Sequence, residues 1–138
     1  QRTMSAAELV SNAVGGLRIR QRIHPATKTF QGIRIAINGE MEALAVTLPK
    51  AFRSLKPGGV LAVISFHSLE DRMVKRFMRK MAGRPVHRWD RSVLDDRKVC
   101  AEMLNTKIII PSKKEVEANP RSRSARMRVL KKIEQPNL

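Results

Sequence analysis

The feature that most constrains this fold is a short apolar run enclosed by two turns. Val60–Ile64 (VLAVI) follows the turn sequence KPGG at 56–59 and precedes the polar segment Ser65–Ser68. A continuous apolar run of this length is typical of a strand buried on both faces, as in parallel sheets covered by helices. Ser68, with Asp71 three residues later, predicts the N-cap of a helix that follows directly.

Helices are predicted before this strand as well. The pattern Ser-Ala-Ala-Glu at 5–8 is a capping box and predicts a helix over 5–14. Further on, apolar residues recur every three or four positions, which indicates one apolar helical face. A proline inside a helix loses a hydrogen bond and clashes with the preceding turn, so Pro49 predicts a division into helices over 26–45 and 48–55.

The last third of the chain adds two strands and a short helix. Leu104–Ile110 is the second predicted strand, and Ser112 begins a short helix that ends near Asn119. Arg121–Lys132 partly alternates between apolar and basic residues, which favours a third strand, although Leu130 falls among the arginines and fits poorly. The order helix, strand, helix, strand, short helix, strand predicts an α/β fold.

The charge balance indicates a polyanionic partner. Lys and Arg total 28 against 12 Asp and Glu, a net charge of +16. Such an excess attracts nucleic acid over long range, and we favour it over an anionic membrane surface. Aromatic residues make up 4% of the chain and tyrosine is absent, which argues against a sheet that stacks RNA bases. Phosphate contacts are therefore expected to dominate binding.

A cytoplasmic location is predicted from the absence of a membrane-spanning run and of a second cysteine. No apolar run approaches the roughly 18 residues that span a bilayer, so we expect a protein with no membrane partner. The single cysteine, Cys100, has no partner for an intramolecular disulfide, which fits a reducing cytoplasm.

The polar segment after the first strand is the first candidate site. Ligands in open α/β sheets bind beyond the carboxyl ends of strands, where Ser65, Phe66, His67 and Ser68 would lie. The competing interpretation is that Ser68 caps a helix and His67 is an ordinary loop residue. The sequence contains no glycine-rich dinucleotide loop, Walker motif or nucleophile elbow.

For other polar residues, too, both a functional and a structural interpretation are possible. His24 could be a ligand or base, or could cap the long helix, and Arg34 could meet a phosphate or simply face solvent. The alternating arginines and serines of Asn119–Arg126 could contact successive phosphates, or form a solvated basic segment. The three histidines at 24, 67 and 87 are too scattered to predict a metal site.

Three segments together resemble the MraW family, also called RsmH. They are HPATKTFQGIRIAIN (24–38), LKPGGVLAVISFHSLEDRMVKRF (55–77) and NPRSRSARMRV (119–129). Members of that family are S-adenosylmethionine-dependent methyltransferases that modify the N4 amine of a decoding-site cytidine in bacterial 16S ribosomal RNA. The resemblance implies the C-terminal part of a Rossmann-like class I methyltransferase sheet with flanking helices. Residues 1–23 would end an inserted helical region, and 24–138 would form the C-terminal half of the methyltransferase domain.

The resemblance also implies what this chain lacks. The family holds S-adenosylmethionine on a glycine-rich loop and acidic residues of its N-terminal half, and none of these is present. We therefore expect the cofactor site to lie largely outside this chain, and the chain alone to be an inactive fragment. Without that half, an edge and one flank of Val60–Ile64 would be exposed, and a homodimer is one way to cover them.

Roles for individual residues follow from the resemblance. Ser65 or His67 would accept a hydrogen bond from the cytosine amine and so favour its attack on the methyl group, and Phe66 would contact the base. In the sharper form of this hypothesis, His67 is the proton acceptor. The other predicted substrate-binding residues are Ser68, His24 and Arg34. The arginines expected to hold the RNA backbone are Arg34, Arg121, Arg123 and Arg126. The alternative function is a non-catalytic, basic RNA-binding or ribosome-assembly module.

Overall fold

A computed structural model describes residues 2–14, 25–87, 90 and 99–133. It divides into two compact units, Gln1–Ala43 and Leu44–Leu138, which we describe separately. The domain boundary predicted between residues 23 and 24 lies outside the described residues and stays a prediction. Among the described residues, no helix combines the length and apolar character needed to cross a bilayer.

The first unit is helical. Helix α1 spans Arg2–Val14 and packs against α2, which spans Pro25–Asn38. The predicted end of α1 is confirmed, but its predicted start is wrong, because Ser5 lies inside the helix and does not cap it. His24 lies outside the described residues.

The break in the long helical segment occurs at Gly39 and not at Pro49. Helix α3 spans Glu40–Ser54 and continues through Pro49. Gly39 has φ of +58°, a left-handed conformation that ends α2 and that glycine adopts without a steric penalty. The proline is tolerated because its neighbours Leu48 and Phe52 are buried, and this packing outweighs the lost helical hydrogen bond.

The second unit is built on a three-stranded antiparallel sheet. The strands are β1 at Val60–Ser65, β2 at Ala101–Met103 and β3 at Arg126–Lys132, in the order β1-β3-β2. The predicted strand after the KPGG turn is confirmed, but its neighbour within the described sheet runs antiparallel to it. Helices with a small sheet confirm the predicted α/β class.

Strand β1 is buried on one face only. Leu61 and Val63 pack against the core, whereas Val60 and Ile64 are 49% and 56% exposed. The prediction of burial on both faces is therefore wrong for the described residues. The expected exposed flank is present, and β1 is an edge strand of the described sheet.

The second strand is shorter and earlier than predicted. Within the predicted range Leu104–Ile110, Ile109 forms only an isolated bridge with Met127. The physical reason is Asn105, whose side-chain oxygen accepts the Val129 backbone amide at 2.7 Å in place of a strand carbonyl. Its amide group donates to a nearby carbonyl, so this segment turns away from the sheet.

The core lies between the sheet and α4, which spans Ser68–Met81. Leu130 is fully buried on the β3 face that contacts α4, so its predicted misfit is wrong and it is a central core residue. Phe52 and Phe77 meet edge to face with ring centroids 6.1 Å apart. The buried core residues are Leu48, Phe52, Val74, Met78, Ala101 and Leu130.

Helix α5 (Lys113–Ala118) precedes the last strand. The Ser112 hydroxyl accepts the Glu115 amide at 3.2 Å, which confirms the predicted helix start. A 3₁₀ helix then spans Pro120–Ser124, where the sequence predicts a strand. The Asn119 side chain caps it by accepting the Arg121 amide at 3.2 Å, which stabilises a turn over this segment.

A buried ion pair joins α4 to β3. Asp71 and Arg128 are each 8% exposed, and the guanidinium donates to both carboxylate oxygens, at 2.8 and 3.2 Å. Burial by itself raises the pKa of Asp71. The hydrogen bonds and charge of Arg128, and then of Arg126, outweigh this effect and hold the pKa below its ordinary value of 3.8.

Gly39→Ala should destabilise the protein by about 1 kcal/mol, because a side chain is strained at positive φ. Gly32→Ala is the matched control, since Gly32 lies inside α2 and an added Cβ would meet no neighbouring atom within 4 Å. It should raise stability by up to about 1 kcal/mol. Equal effects of the two substitutions on the thermal unfolding midpoint would contradict this assignment of the helix break.

Asp71→Asn should lower the free energy of unfolding by about 3 kcal/mol, because it leaves the Arg128 charge buried without its partner. The double variant Asp71→Leu with Arg128→Met should recover most of this loss, since it removes both charges together. Urea unfolding measures both effects. A double variant as unstable as the single one would contradict the pair's role.

The lowered pKa of Asp71 also predicts a pH dependence. The carboxylate is charged in the folded state down to a lower pH than in the unfolded chain, where its pKa is about 3.9. Its stabilising contribution is complete above that value and is lost as pH falls through the folded-state pKa. Asp71→Asn should lack this pH-dependent contribution to stability when the protein is unfolded with acid. If the variant and the unsubstituted protein unfolded over the same pH range, the lowered pKa of Asp71 would be contradicted.

Candidate functional site

A cavity of about 340 Å³ lies at the carboxyl end of β1. One wall is the turn from β1 into α4. The other comes from the segment before α5, from α5 itself and from the end of the 3₁₀ helix with the start of β3. The lining residues are Phe66, His67, Ser68, Ile110, Pro111, Val116, Arg123, Ser124, Ala125 and Arg126.

Sheet register brings these two walls together. In the antiparallel pair, Ser65 at the end of β1 lies opposite Arg126 at the start of β3. The segments that flank these two residues must therefore approach each other, although they are far apart in sequence. The cavity is a direct consequence of this register.

Five of the predicted site residues line this cavity: Phe66, His67, Ser68, Arg123 and Arg126. Phe66 is 56% exposed, so part of this aromatic residue is accessible to a ligand. Together the five residues supply an aromatic ring, two guanidinium groups, a hydroxyl and the imidazole of His67, which caps α4. These are the groups that stack on a base and bind phosphate.

Three other predicted site residues that the structure describes, Ser65, Arg121 and Arg34, lie elsewhere. Ser65 is 4% exposed, and its hydroxyl donates to the Arg126 carbonyl oxygen at 3.4 Å. Arg121 is exposed but does not line the cavity. Arg34 belongs to the first unit, where its Nε lies 2.9 Å from a Glu40 carboxylate oxygen.

His67, and not Ser68, is the N-cap of α4. Its Nδ1 accepts the Glu70 backbone amide at 3.3 Å. In return, one Glu70 carboxylate oxygen accepts the backbone amides of Phe66 at 2.9 Å and His67 at 3.2 Å. This is a capping box with histidine in the position usually taken by serine or threonine. Ser68 is the first helical residue, so the predicted cap is one residue late.

The cap limits the chemistry of the His67 ring. Because Nδ1 accepts a hydrogen bond, the neutral ring carries its proton on Nε2, which lies 3.3 Å from Glu70 Oε1. The side chain is 8% exposed. A proton taken up from a substrate at Nδ1 would displace the Glu70 amide. The predicted proton-acceptor role stays a prediction.

Sequence reasoning missed two residues that support the site. Asp71 contacts Arg126 as well as Arg128, with 3.6 Å between its Oδ2 and Arg126 Nη1. This contact holds Arg126, a cationic residue of the cavity lining, close to α4. The local pattern indicates only a helix cap for Asp71 and a polar strand face for Arg128. One feature of the sequence does indicate that Arg128 faces the core. Arg128 and Leu130 are two residues apart, so both side chains lie on the same face of β3.

Known proteins resemble this chain over nearly its whole length. The family model described as MraW methylase family matches residues 1–133. Proteins named ribosomal RNA small subunit methyltransferase H are 42% identical in Caulobacter vibrioides and 46% identical in Nitrosomonas eutropha, over 99% and 98% of this chain. A third, from Thermomicrobium roseum, is 44% identical over 95%.

The chain spans less than half the length of these relatives. The aligned region covers 44% of the Caulobacter and Nitrosomonas proteins and 40% of the Thermomicrobium protein. The α/β architecture, the match to the family model and the identities of 42% to 46% agree with one another. The chain therefore belongs to the MraW methylase family.

Proposed function

We propose that this chain forms the RNA-binding side of an S-adenosylmethionine-dependent methyltransferase. Its substrate would be the N4 amine of a decoding-site cytidine in 16S ribosomal RNA. Family membership and the names of the relatives support the reaction class and the RNA. The observation that carries the proposal is the cavity that combines the exposed Phe66 ring with Arg123 and Arg126.

The cavity suits one nucleotide. Its volume of about 340 Å³ is near the lower end of the range for ligand sites, roughly 300 to 1,000 Å³. A base stacked on Phe66 would contribute about 1–3 kcal/mol. The guanidinium groups of Arg123 and Arg126 can bind phosphate oxygens in a bidentate manner. An extruded nucleotide is therefore the ligand that these groups favour.

The cytosine amine needs an acceptor to become a better nucleophile, because its lone pair is delocalised into the ring. Ser65 is buried and does not line the cavity, but it directly precedes Phe66, which does. Its hydroxyl, which donates to a carbonyl, retains lone pairs that could accept from an amine that reaches this depth. His67 can accept only by giving up its capping bond to Glu70. We propose Ser65 or His67 as this acceptor, and variants of the cap distinguish them.

The lining of this cavity does not fit S-adenosylmethionine itself. Its ribose hydroxyls are commonly held by carboxylates, and a carboxylate would also balance its sulfonium cation. The cavity instead presents Arg123 and Arg126, and its lining includes no carboxylate among the described residues. We therefore propose that the methyl donor binds outside this cavity.

The poor fit of the cavity to S-adenosylmethionine is also compatible with a second function. A basic RNA-binding or assembly module would use the same cavity without transferring a methyl group. Methyl transfer to small ribosomal subunits distinguishes the two. RNA binding without any transfer by the gene product at its full natural length would favour the module.

His67→Ala and His67→Asn separate catalysis from capping. Asparagine is a good N-cap and can accept the Glu70 amide, but it cannot take up a proton as imidazole does. If His67 accepts the proton, both variants should reduce the methyl-transfer rate by about 100-fold or more, with S-adenosylmethionine binding retained. The measurement is the initial rate on small ribosomal subunits that lack the modification.

A structural role for His67 gives a different pattern. His67→Ala would then lower stability by about 0.5–2 kcal/mol, and His67→Asn would restore both stability and rate. That outcome would remove His67 from the reaction. Ser65→Ala, measured in the same assay, would then test the remaining acceptor.

Arg121→Gln combined with Arg123→Gln should weaken RNA binding. The slope of log affinity against log salt concentration should become shallower by about 1.4, if each arginine neutralises one phosphate of a single strand. Lys113→Gln with Lys114→Gln is the matched control, because both lysines are exposed on α5 and lie outside the 3₁₀ helix that carries Arg121 and Arg123. An unchanged slope in the arginine variant would contradict its role in RNA binding.

A further inference from the structure

The outward face of α4 carries four exposed cations. Arg72, Lys75, Arg76 and Lys80 occupy positions i, i+3, i+4 and i+8, which share one side of the helix, away from the buried Val74 and Met78. Arg79 lies on the same side but is half-buried, and its Nε donates to the Pro85 carbonyl oxygen. We call these four residues the basic ridge.

The acidic residues of α4 do not neutralise the basic ridge. Glu70 is engaged in the capping box, where it accepts two backbone amides. Asp71 points to the sheet side and binds Arg128 and Arg126. Within the described part of the chain, no ion pair involves a residue of the basic ridge.

This arrangement has an energetic penalty in the unbound protein. Arg72 and Arg76, and likewise Arg76 and Lys80, are like charges four residues apart. Each such pair destabilises a helix by about 0.2–0.5 kcal/mol. Arg72 also lies in the first turns, where the helix dipole disfavours cations. Binding of a polyanion along the basic ridge would relieve these repulsions.

The basic ridge begins beside the cavity. Ser68 lines the cavity and starts α4, and Arg72 follows one turn later. At 1.5 Å per residue, the axial distance from Ser68 to Lys80 is about 18 Å. A strand whose nucleotide occupies the cavity could therefore place neighbouring phosphates along the basic ridge.

We propose that the basic ridge is a second RNA-contact surface, separate from the cavity, that binds backbone phosphates. The choice of RNA as partner rests on the proposed function. A membrane surface fits poorly, because an interfacial helix needs an exposed apolar face. The apolar face of α4 is used in the core, where Val74 and Met78 are 1% and 0% exposed. The basic ridge would add affinity without reading sequence, since phosphate contacts carry no base information.

The test is a triple variant, Arg72→Gln, Lys75→Gln and Arg76→Gln, in the gene product at its full natural length. Its binding to a 16S rRNA segment containing the decoding site is measured over a series of salt concentrations. If all three cations meet phosphates, the salt slope should become shallower by about 2, and affinity at low salt should fall at least tenfold. Unfolding measurements on the same variant check that these exposed substitutions do not lower its stability; relief of the like-charge repulsions should raise it slightly.

The matched control removes the same net charge elsewhere in the second unit. Lys50→Gln, Arg53→Gln and Lys56→Gln alter three exposed cations in and just after α3. This variant should retain most of the slope and affinity of the unmodified protein. Equal losses in both triple variants would show a general effect of net charge and overturn the inference.

Failure of the inference can be told from failure of the proposed function. If the unmodified protein binds the RNA and methylates small subunits, but the basic-ridge variant keeps its slope and affinity, the inference alone is wrong. If the unmodified protein neither binds the RNA nor transfers a methyl group, the proposed function is wrong. If the basic-ridge variant loses binding to an acidic polypeptide but keeps its binding to RNA, the partner of the basic ridge is a protein and not RNA.

Discussion

The buried contact between Asp71 and Arg128 is the constraint on which the rest of the second unit depends. It joins α4 to β3 by two hydrogen bonds at positions that are each 8% exposed. Two charges this far from water are tolerated only as a pair, so the helix and strand must keep their alignment. The same carboxylate contacts Arg126 at 3.6 Å and so links the core to the cavity.

Helix α4 has a different task on each of its surfaces. Its first turn, capped by His67, forms one wall of the cavity. Its apolar face covers the sheet through Val74 and Met78. Its outward face carries the basic ridge. In the proposed function, the cavity would hold one extruded nucleotide and the basic ridge the backbone that leads to it.

Local signals predict the structure well where one short segment decides it. The strand after the KPGG turn and the helix capped by Ser112 are both present. Predictions fail where distant packing decides. Pro49 remains helical because its neighbours are buried, and Leu130 is a core residue despite its basic neighbours. Asn105 ends a predicted strand by binding the backbone of β3 through its side chain, a contact that no local pattern indicates.

The sequence by itself determined the α/β class, the family resemblance and the two segments, 65–68 and 121–126, that carry most of the candidate residues, because turns, caps and periodicity are local properties of the chain. Only the tertiary structure decided that these segments meet in one cavity. Their approach depends on the antiparallel register that sets Ser65 opposite Arg126, and register is fixed by contacts between residues far apart in sequence. For the same reason, only the fold shows that Asp71 is a buried ion-pair partner, since a carboxylate is ordinarily expected on the surface.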